Sequence, residues 1–224
     1  MITGKPGIAF DLDGTMIDNN EYHILSWQEF YKRRNRTFTS EEFVAHFNGK
    51  TNADVLKYVF HPNLTPEENK QYTEEKEAIY RDIYAAHIHP VNGLISLLET
   101  LYNAEIPMVI ATSGIPVNIS FMFDHIPVRH FFKAVINSTH ITHGKPHPEI
   151  YEIAAKELEI PPSRCIAFED SVSGVLSAKQ AGFAVIALTT THKAEELDQA
   201  DLIVKDFTEV TLEIIYDLIN PRIF

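Results

Sequence analysis

Residues 8–15 are Ile8-Ala-Phe-Asp-Leu-Asp-Gly-Thr15, a short apolar run that ends in two carboxylates two positions apart, with a glycine and a threonine behind them. A buried strand over Ile8–Phe10 brings Asp11 and Asp13 out at its carboxyl end, where open α/β sheets bind ligands, and Gly14 lets the backbone turn sharply beside them. One carboxylate there can serve as nucleophile or metal ligand and the other as acid/base. The same residues also compose an ordinary Asx-type turn, so the stretch takes its meaning from what the rest of the chain places beside it.

Beyond this strand the character of the chain changes. Residues 20–89 are polar, nearly free of glycine and helical in pattern. Ser26–Arg34 carries Trp27, Phe30 and Tyr31 at helical spacing, Ser40 to Phe43 opens a second helix with Ser40 as cap, and Asn52–Phe60 sets Val55, Leu56, Val59 and Phe60 on one face. Thr65-Pro-Glu-Glu68 starts a long helix, with Thr65 as cap, Pro66 at the first helical position and acids in the first turn. Pro90 and Gly93 punctuate the return. Helices then alternate with short apolar runs: strands at 107–111, 134–136, 165–168, 184–188 and 201–204, and helices at 94–104, 117–123, 148–158 and 172–181, before a C-terminal helix. Strands separated by helices pair in parallel through right-handed crossovers. The expected fold is therefore α/β, a doubly wound, mainly parallel Rossmann-like sheet with an inserted all-helical domain. The expected boundaries are 1–18 and 91–224 for the α/β core and 19–90 for the insert.

Composition bounds the partners. The chain has 224 residues, 45% of them hydrophobic, with a formal net charge of −12. Phosphate backbones demand basic patches, so nucleic acid is excluded as a partner, while a small phosphate ester remains open because a bound divalent cation reverses the local field. The single cysteine, Cys165, sits in an apolar stretch, allows no internal disulfide and suits a reducing compartment. No signal peptide and no run of about 18 apolar residues are present; a cytoplasmic location is expected, with no membrane and no obligate protein partner.

Three further polar clusters follow predicted core strands. Thr112-Ser113-Gly114 offers hydroxyls and free N–H groups, Gly144-Lys145-Pro146 places a lysine before a helix, and Glu169-Asp170-Ser171 puts adjacent carboxylates at a strand end. Each alone is an ordinary loop or helix start. Together, each at the end of a different parallel strand, they converge on one edge of the sheet. In that combination the chain resembles the haloacid dehalogenase superfamily, in its phosphatase and beta-phosphoglucomutase-like branch with a helical cap after the first strand. The resemblance covers essentially the whole length.

The resemblance implies that Asp11 attacks phosphorus and forms an aspartyl-phosphate, and that Asp13 protonates the leaving oxygen and then deprotonates the hydrolytic water. It implies Mg2+ held by Asp11, the Asp13 backbone carbonyl and Asp170, with Glu169 direct or through water. Lys145 offsets charge on the phosphoryl oxygens, and Thr112, Gly14 and the N–H groups of Asp13, Ser113 and Gly114 orient them. Family caps close over the site and contact the leaving group; here Glu21-Tyr22-His23, Trp27 and Lys76 match the pattern of the branch. One position departs. Where the mutases carry a phosphate-binding arginine, this chain has Gly49-Lys50-Thr51-Asn52, and an asparagine cannot form a bidentate, charge-assisted clamp on a second phosphate, a loss for which Lys50 can compensate only in part.

The expected activity is therefore hydrolysis of a small phosphorylated metabolite, a sugar phosphate, by a magnesium-dependent phosphatase. A mutase returning phosphate to the sugar is the first alternative, and a phospho-accepting regulatory module the second. His87, His89, His140, His143 and His147 read as solvated loop residues without a coherent partner set for a transition metal. Phe121, Phe123, Phe131 and Phe132 read as core packing.

Overall fold

The computed structural model describes residues 4–39, 41, 42, 46, 47 and 52–220. Six strands, β1 (Gly7–Phe10), β2 (Met108–Ala111), β3 (Ala134–Ile136), β4 (Cys165–Glu169), β5 (Ala184–Leu188) and β6 (Leu202–Val204), form one parallel sheet in the order β3-β2-β1-β4-β5-β6. The chain winds outward from β1 to one side and then from β4 to the other. The switch point lies between β1 and β4, where a crevice opens at the strands' carboxyl ends. Phe10 pairs with both Ile110 and Phe168, so the residues one step further on, Asp11, Ala111 and Glu169, leave the sheet side by side.

Both faces of the sheet are buried, which is why its strands are continuous apolar runs rather than alternating ones. Their side chains alternate in size instead. Ala9, Ala111, Ala167 and Ala187 lie in one core cluster with Val109 and Val185, while Ile8, Phe10, Ile166 and Phe168 are also fully buried at the intervening positions. On the bulky side Phe10 stacks on Phe168 with centroids 4.8 Å apart, and Phe168 meets Phe207 edge-on at 5.3 Å.

The molecule divides into two compact units, Met1–Asp18 with His89–Phe224, and Asn19–Ile88. The second holds α1 (Asn20–Lys32), α2 (Asn52–Val59) and α3 (Pro66–Tyr84). Trp27, Phe30 and Tyr31 of α1 cluster with Val55, Leu56 and Val59 of α2 and Ile79 of α3. Helix α1 begins six residues before the expected start at Ser26. Asn19 takes its N-cap position without a side-chain capping bond, and its amide donates to Tyr80 Oη at 2.7 Å. Thr65 closes a reciprocal capping box with Glu68 at the start of α3, an arrangement worth about 1 kcal/mol. Residues 41, 42 and 46 are helical, and the hydroxyl accepting from Glu42 N–H is that of Thr39. The expected cap Ser40, Phe43 and the Gly49-Lys50-Thr51 loop lie outside the described residues.

In the sheet unit α4 (Leu94–Asn103), α5 (Pro116–His125), α6 (Glu149–Leu158), α7 (Val172–Gln180) and α8 (Leu212–Ile219) complete the fold. Helices α6 and α7 supply Ile150, Tyr151, Ala154, Val175 and Ala178 to the cluster on the alanine side of the sheet. Those small side chains let the helices approach closely. Of the four phenylalanines expected in the core, Phe132 is buried against Phe10, whereas Phe121, Phe123 and Phe131 are half-buried. Residues 121 and 123, two apart on a helix, point to different sides and cannot share one core face; Ile119 and Met122 fill it instead. Among the described residues, no helix is long and apolar enough to cross a membrane.

Candidate active site

The carboxyl ends of β1, β2 and β4 and the loop before α6 deliver their polar side chains to one place. Lys145 Nζ donates to Asp11 Oδ1 at 2.5 Å, to Glu169 Oε1 at 2.5 Å and to the Ala111 carbonyl at 3.3 Å. Asp11, Glu169 and Asp170 are all buried. One oxygen from each lies within 4.8 Å of the others. Glu169 is held at both oxygens: Tyr151 Oη donates to Oε1 at 2.6 Å, and the Asp170 N–H and the Ser171 hydroxyl donate to Oε2, each at 3.2 Å. Asp170 Oδ1 accepts from Thr15 Oγ1 at 3.0 Å.

Two glycines make room for these acids. Gly14 has φ +79°, and a Cβ there would lie 2.1 Å from Asp170 Oδ2, so the turn after Asp13 requires both glycine's backbone freedom and its missing side chain. The turn is fastened from outside by the Thr190 hydroxyl, which donates to the Gly14 carbonyl. At Gly174 in α7, a Cβ would stand 2.0 Å from the Glu169 carboxyl carbon. Glycine to alanine in a helix ordinarily stabilises by about 1 kcal/mol. Gly174→Ala is expected to do the reverse, lowering stability by about 2 kcal/mol, because it overpacks a carboxylate that five hydrogen bonds hold in place. Thermal unfolding checks this, and an unchanged or higher Tm would show that Glu169 can move aside freely.

On the β2 side, the Gly114 N–H donates to Thr112 Oγ1 at 2.9 Å. A Cβ on Gly114 would meet Thr112 Oγ1 at 3.1 Å and Asp13 Oδ2 at 3.2 Å, so the buried hydroxyl and the second carboxylate flank one point of this loop. The Ser113 side chain is exposed.

The electrostatics follow from three buried acids sharing one ammonium. Burial pushes the Asp11 carboxyl well above the usual range against the pull of Lys145, and Glu169 and Asp170 add to the rise. Burial and the charge of Glu169 push Asp170 up to about 7. Burial alone would lower Lys145, but the carboxylates of Asp11 and Glu169 outweigh it and hold the ammonium above its ordinary value. Burial and Glu169 raise the Tyr151 phenol, which stays a donor. Such a site is short of positive charge. Its donors are hard carboxylate oxygens, the set that suits Mg2+ rather than a softer metal, so the residues present fit a magnesium ion.

Residues 8–188 match the haloacid dehalogenase-like hydrolase family. The chain belongs to that family. It is 30% identical over 220 residues to a validoxylamine A 7'-phosphate phosphatase of Streptomyces hygroscopicus subsp. limoneus, covering 90% of this chain and 93% of the relative. It is 25% identical over 218 residues to the beta-phosphoglucomutase of Bacillus subtilis, covering 94% and 93%. A solved structure of a family IA, variant 3 hydrolase from Entamoeba histolytica superposes with TM-score 0.89 at 34% identity, covering 96% of this chain and 99% of that one.

Of the expected site residues, Asp11, Lys145, Glu169 and Asp170 form one bonded group, with Gly14 against Asp170, while Asp13, in the turn after β1, comes close to Thr112 and Gly114 in the loop after β2. His23, Lys76 and Asn52 belong to the helical unit and form a cluster of their own. There Lys76 Nζ lies 2.8 Å from His23 Nδ1 and 2.9 Å from Glu77 Oε1, and Asn52 Nδ2 donates to the same Glu77 oxygen at 2.6 Å. Sequence reasoning assigned no role to Tyr151, Thr15, Thr190 or Glu77. The histidines need one correction. His143 and His147 are exposed, yet Glu149 lies within ligand distance of both, a carboxylate partner that the spacing did not reveal. It follows Pro148 at the start of α6, and it is already held by the N–H groups of Thr142 and His143.

Proposed function

We propose that the protein is a magnesium-dependent phosphatase that hydrolyses a small phosphorylated sugar or polyol through an aspartyl-phosphate on Asp11. The observation that carries this reading is the Lys145 ammonium seated 2.5 Å from both Asp11 and Glu169, with Asp170 within ligand reach. An Asp11 carboxylate oxygen attacks phosphorus and the bond to the leaving oxygen breaks. Asp13 gives that oxygen its proton and afterwards takes one from the water that attacks the acyl phosphate, so that inorganic phosphate leaves and both carboxylates return to their starting state. Lys145 offsets charge developing on the phosphoryl oxygens, while Thr112 and the N–H groups of Asp13, Ser113 and Gly114 orient them. Magnesium, held by Asp11, Asp170 and the Asp13 carbonyl with Glu169 direct or through water, would supply the positive charge that keeps these acids ionised and shields them from the phosphoryl group.

In the helical unit we assign His23, Lys76 and Asn52 to the leaving group. A single phosphate on that group agrees with the asparagine at 52, whose amide is committed to Glu77 and cannot clamp a second phosphate as an arginine does. The validoxylamine 7'-phosphate phosphatase supports phosphate hydrolysis on a related scaffold.

Incubated with Mg2+, the protein is expected to release inorganic phosphate from p-nitrophenyl phosphate and from members of a hexose and hexitol phosphate panel, with kcat on the order of 10 s⁻¹ on its best substrate. EDTA abolishes the release and added magnesium restores it. Conversion of β-glucose 1-phosphate to glucose 6-phosphate without release would favour a mutase, and a single phosphorylation without turnover a regulatory module.

A further inference from the structure

We propose that His143, His147 and Glu149 form a binding site for a divalent transition-metal ion of the zinc class, separate from the carboxylate group at the strand ends. One ligand atom from each of the three lies within 4.8 Å of the others. Two histidines and one glutamate are a donor set that zinc uses with water in its fourth position. Imidazole nitrogen suits zinc, copper and nickel, whereas magnesium takes hard oxygen, so the two clusters of this unit differ in the ion that each selects. His143 Nδ1 stands 3.2 Å from Glu149 Oε2. Two donors each about 2.0–2.1 Å from a tetrahedral ion are about 3.3 Å apart, so this pair already has the spacing that zinc requires.

The backbone sets these side chains before any ion arrives. His147 lies between Pro146 and Pro148, whose rings fix their own φ angles. Its carbonyl accepts from the buried Ser177 hydroxyl at 2.7 Å, and its N–H donates to the Gly144 carbonyl at 3.1 Å. The rings of His143 and His147 stack with centroids 4.5 Å apart and planes 28° from parallel. Glu149 is placed by the N–H groups of Thr142 and His143, at 3.0 and 2.7 Å. A carboxylate has about four lone-pair directions, and these bonds leave room among them for a metal. Binding gives up two long contacts, His143 Nδ1 to Glu149 Oε2 and the Glu149 N–H to His147 Nδ1, both at 3.2 Å. Little has to be ordered, so three protein ligands suffice for micromolar affinity. The His143 side chain is 62% exposed, which gives the ion direct entry from solvent. Lys145 lies two residues from either histidine, so the ion sits on the loop that carries that lysine.

Zinc chloride is titrated calorimetrically into the full-length chain in saturating Mg2+, which keeps the carboxylate group occupied. Wild type is expected to take up one equivalent with a micromolar or tighter Kd. His143→Gln and His147→Gln are each expected to weaken that uptake at least about tenfold, the least that loss of even a supporting group costs a metal site. His192→Gln, which removes the histidine of another His–Glu pair, 3.3 Å apart, is expected to leave it within twofold. His143 and His147 are exposed, so their variants fold as wild type does. Failure to bind at about 100 µM zinc, or a wild-type affinity that survives both substitutions, overturns the proposal. The measurement uses no substrate, so its failure leaves the phosphatase reading standing.

Discussion

Asp11→Asn is expected to lower phosphate release by about 10⁴-fold or more while leaving the fold at least as stable as before. The amide is nearly isosteric but has no anionic oxygen to attack phosphorus, and in machinery whose parts act as a unit the loss of the nucleophile removes most of the rate. Stability goes the other way because of where the carboxylate sits. A carboxyl whose pKa is raised on folding is, as an anion at pH 7, worse off in the fold than in the unfolded chain. Asp11 is in that position through burial and the repulsion of Glu169 and Asp170. A neutral side chain removes the cost, and Lys145 keeps its partner in Glu169. Thermal unfolding in EDTA should therefore give an equal or higher Tm for the variant, and acid-quenched enzyme should carry a covalent phosphoryl group in wild type alone. A variant that turns over at near-normal rate would move the nucleophile elsewhere.

That Asp11 could be singled out in the sequence at all is a property of parallel sheets. Asp11 and Lys145 are 134 residues apart in the chain, yet each follows a core strand, and winding in parallel delivers every carboxyl end to one edge whatever the intervening length. Polar residues that break out of an apolar run at those ends are conspicuous, so Asp13, Thr112, Glu169 and Asp170 were legible in the same way. Tyr151 was not. It lies on the core face of α6 between Ile150 and Ala154 and reads as a packing aromatic; its hydroxyl matters because Glu169 happens to end β4 opposite. Thr15 and Thr190 carry hydroxyls that any loop could contain, and their bonds to Asp170 and Gly14 depend on turn geometry that no periodicity encodes. Glu77 was hidden by its neighbours. In a run of alternating charges a buried glutamate looks like the others, and only the approach of Asn52 from another helix sets it apart.

Lys145→Met is the substitution expected to injure both properties together. Among the described residues, its ammonium is the cation bonded to two buried carboxylates, and its own side chain is 8% exposed. Breaking a buried ion pair by removing one partner costs about 3–5 kcal/mol, since the remaining charge is left in a poor solvent. For a chain of this length that is a fall in Tm of about 10 °C, measured in EDTA so that no other cation takes over. Added magnesium should return part of the loss, because a divalent ion among Asp11, Glu169 and Asp170 supplies the missing charge. Activity at saturating magnesium should still be down by about 10³-fold, as a fixed donor aimed at developing negative charge is not replaced by a neutral thioether. The double variant Asp11→Asn/Lys145→Met separates the two effects. If the stability loss comes from unpaired carboxylates, removing one of them along with the ammonium must recover part of it, a coupling of about 1–3 kcal/mol between residues in direct contact. Strictly additive effects of the two substitutions would mean that Lys145 stabilises this edge of the sheet through the packing of its chain against the Tyr151 ring, 5.2 Å from its ammonium, and not through its pairing with Asp11.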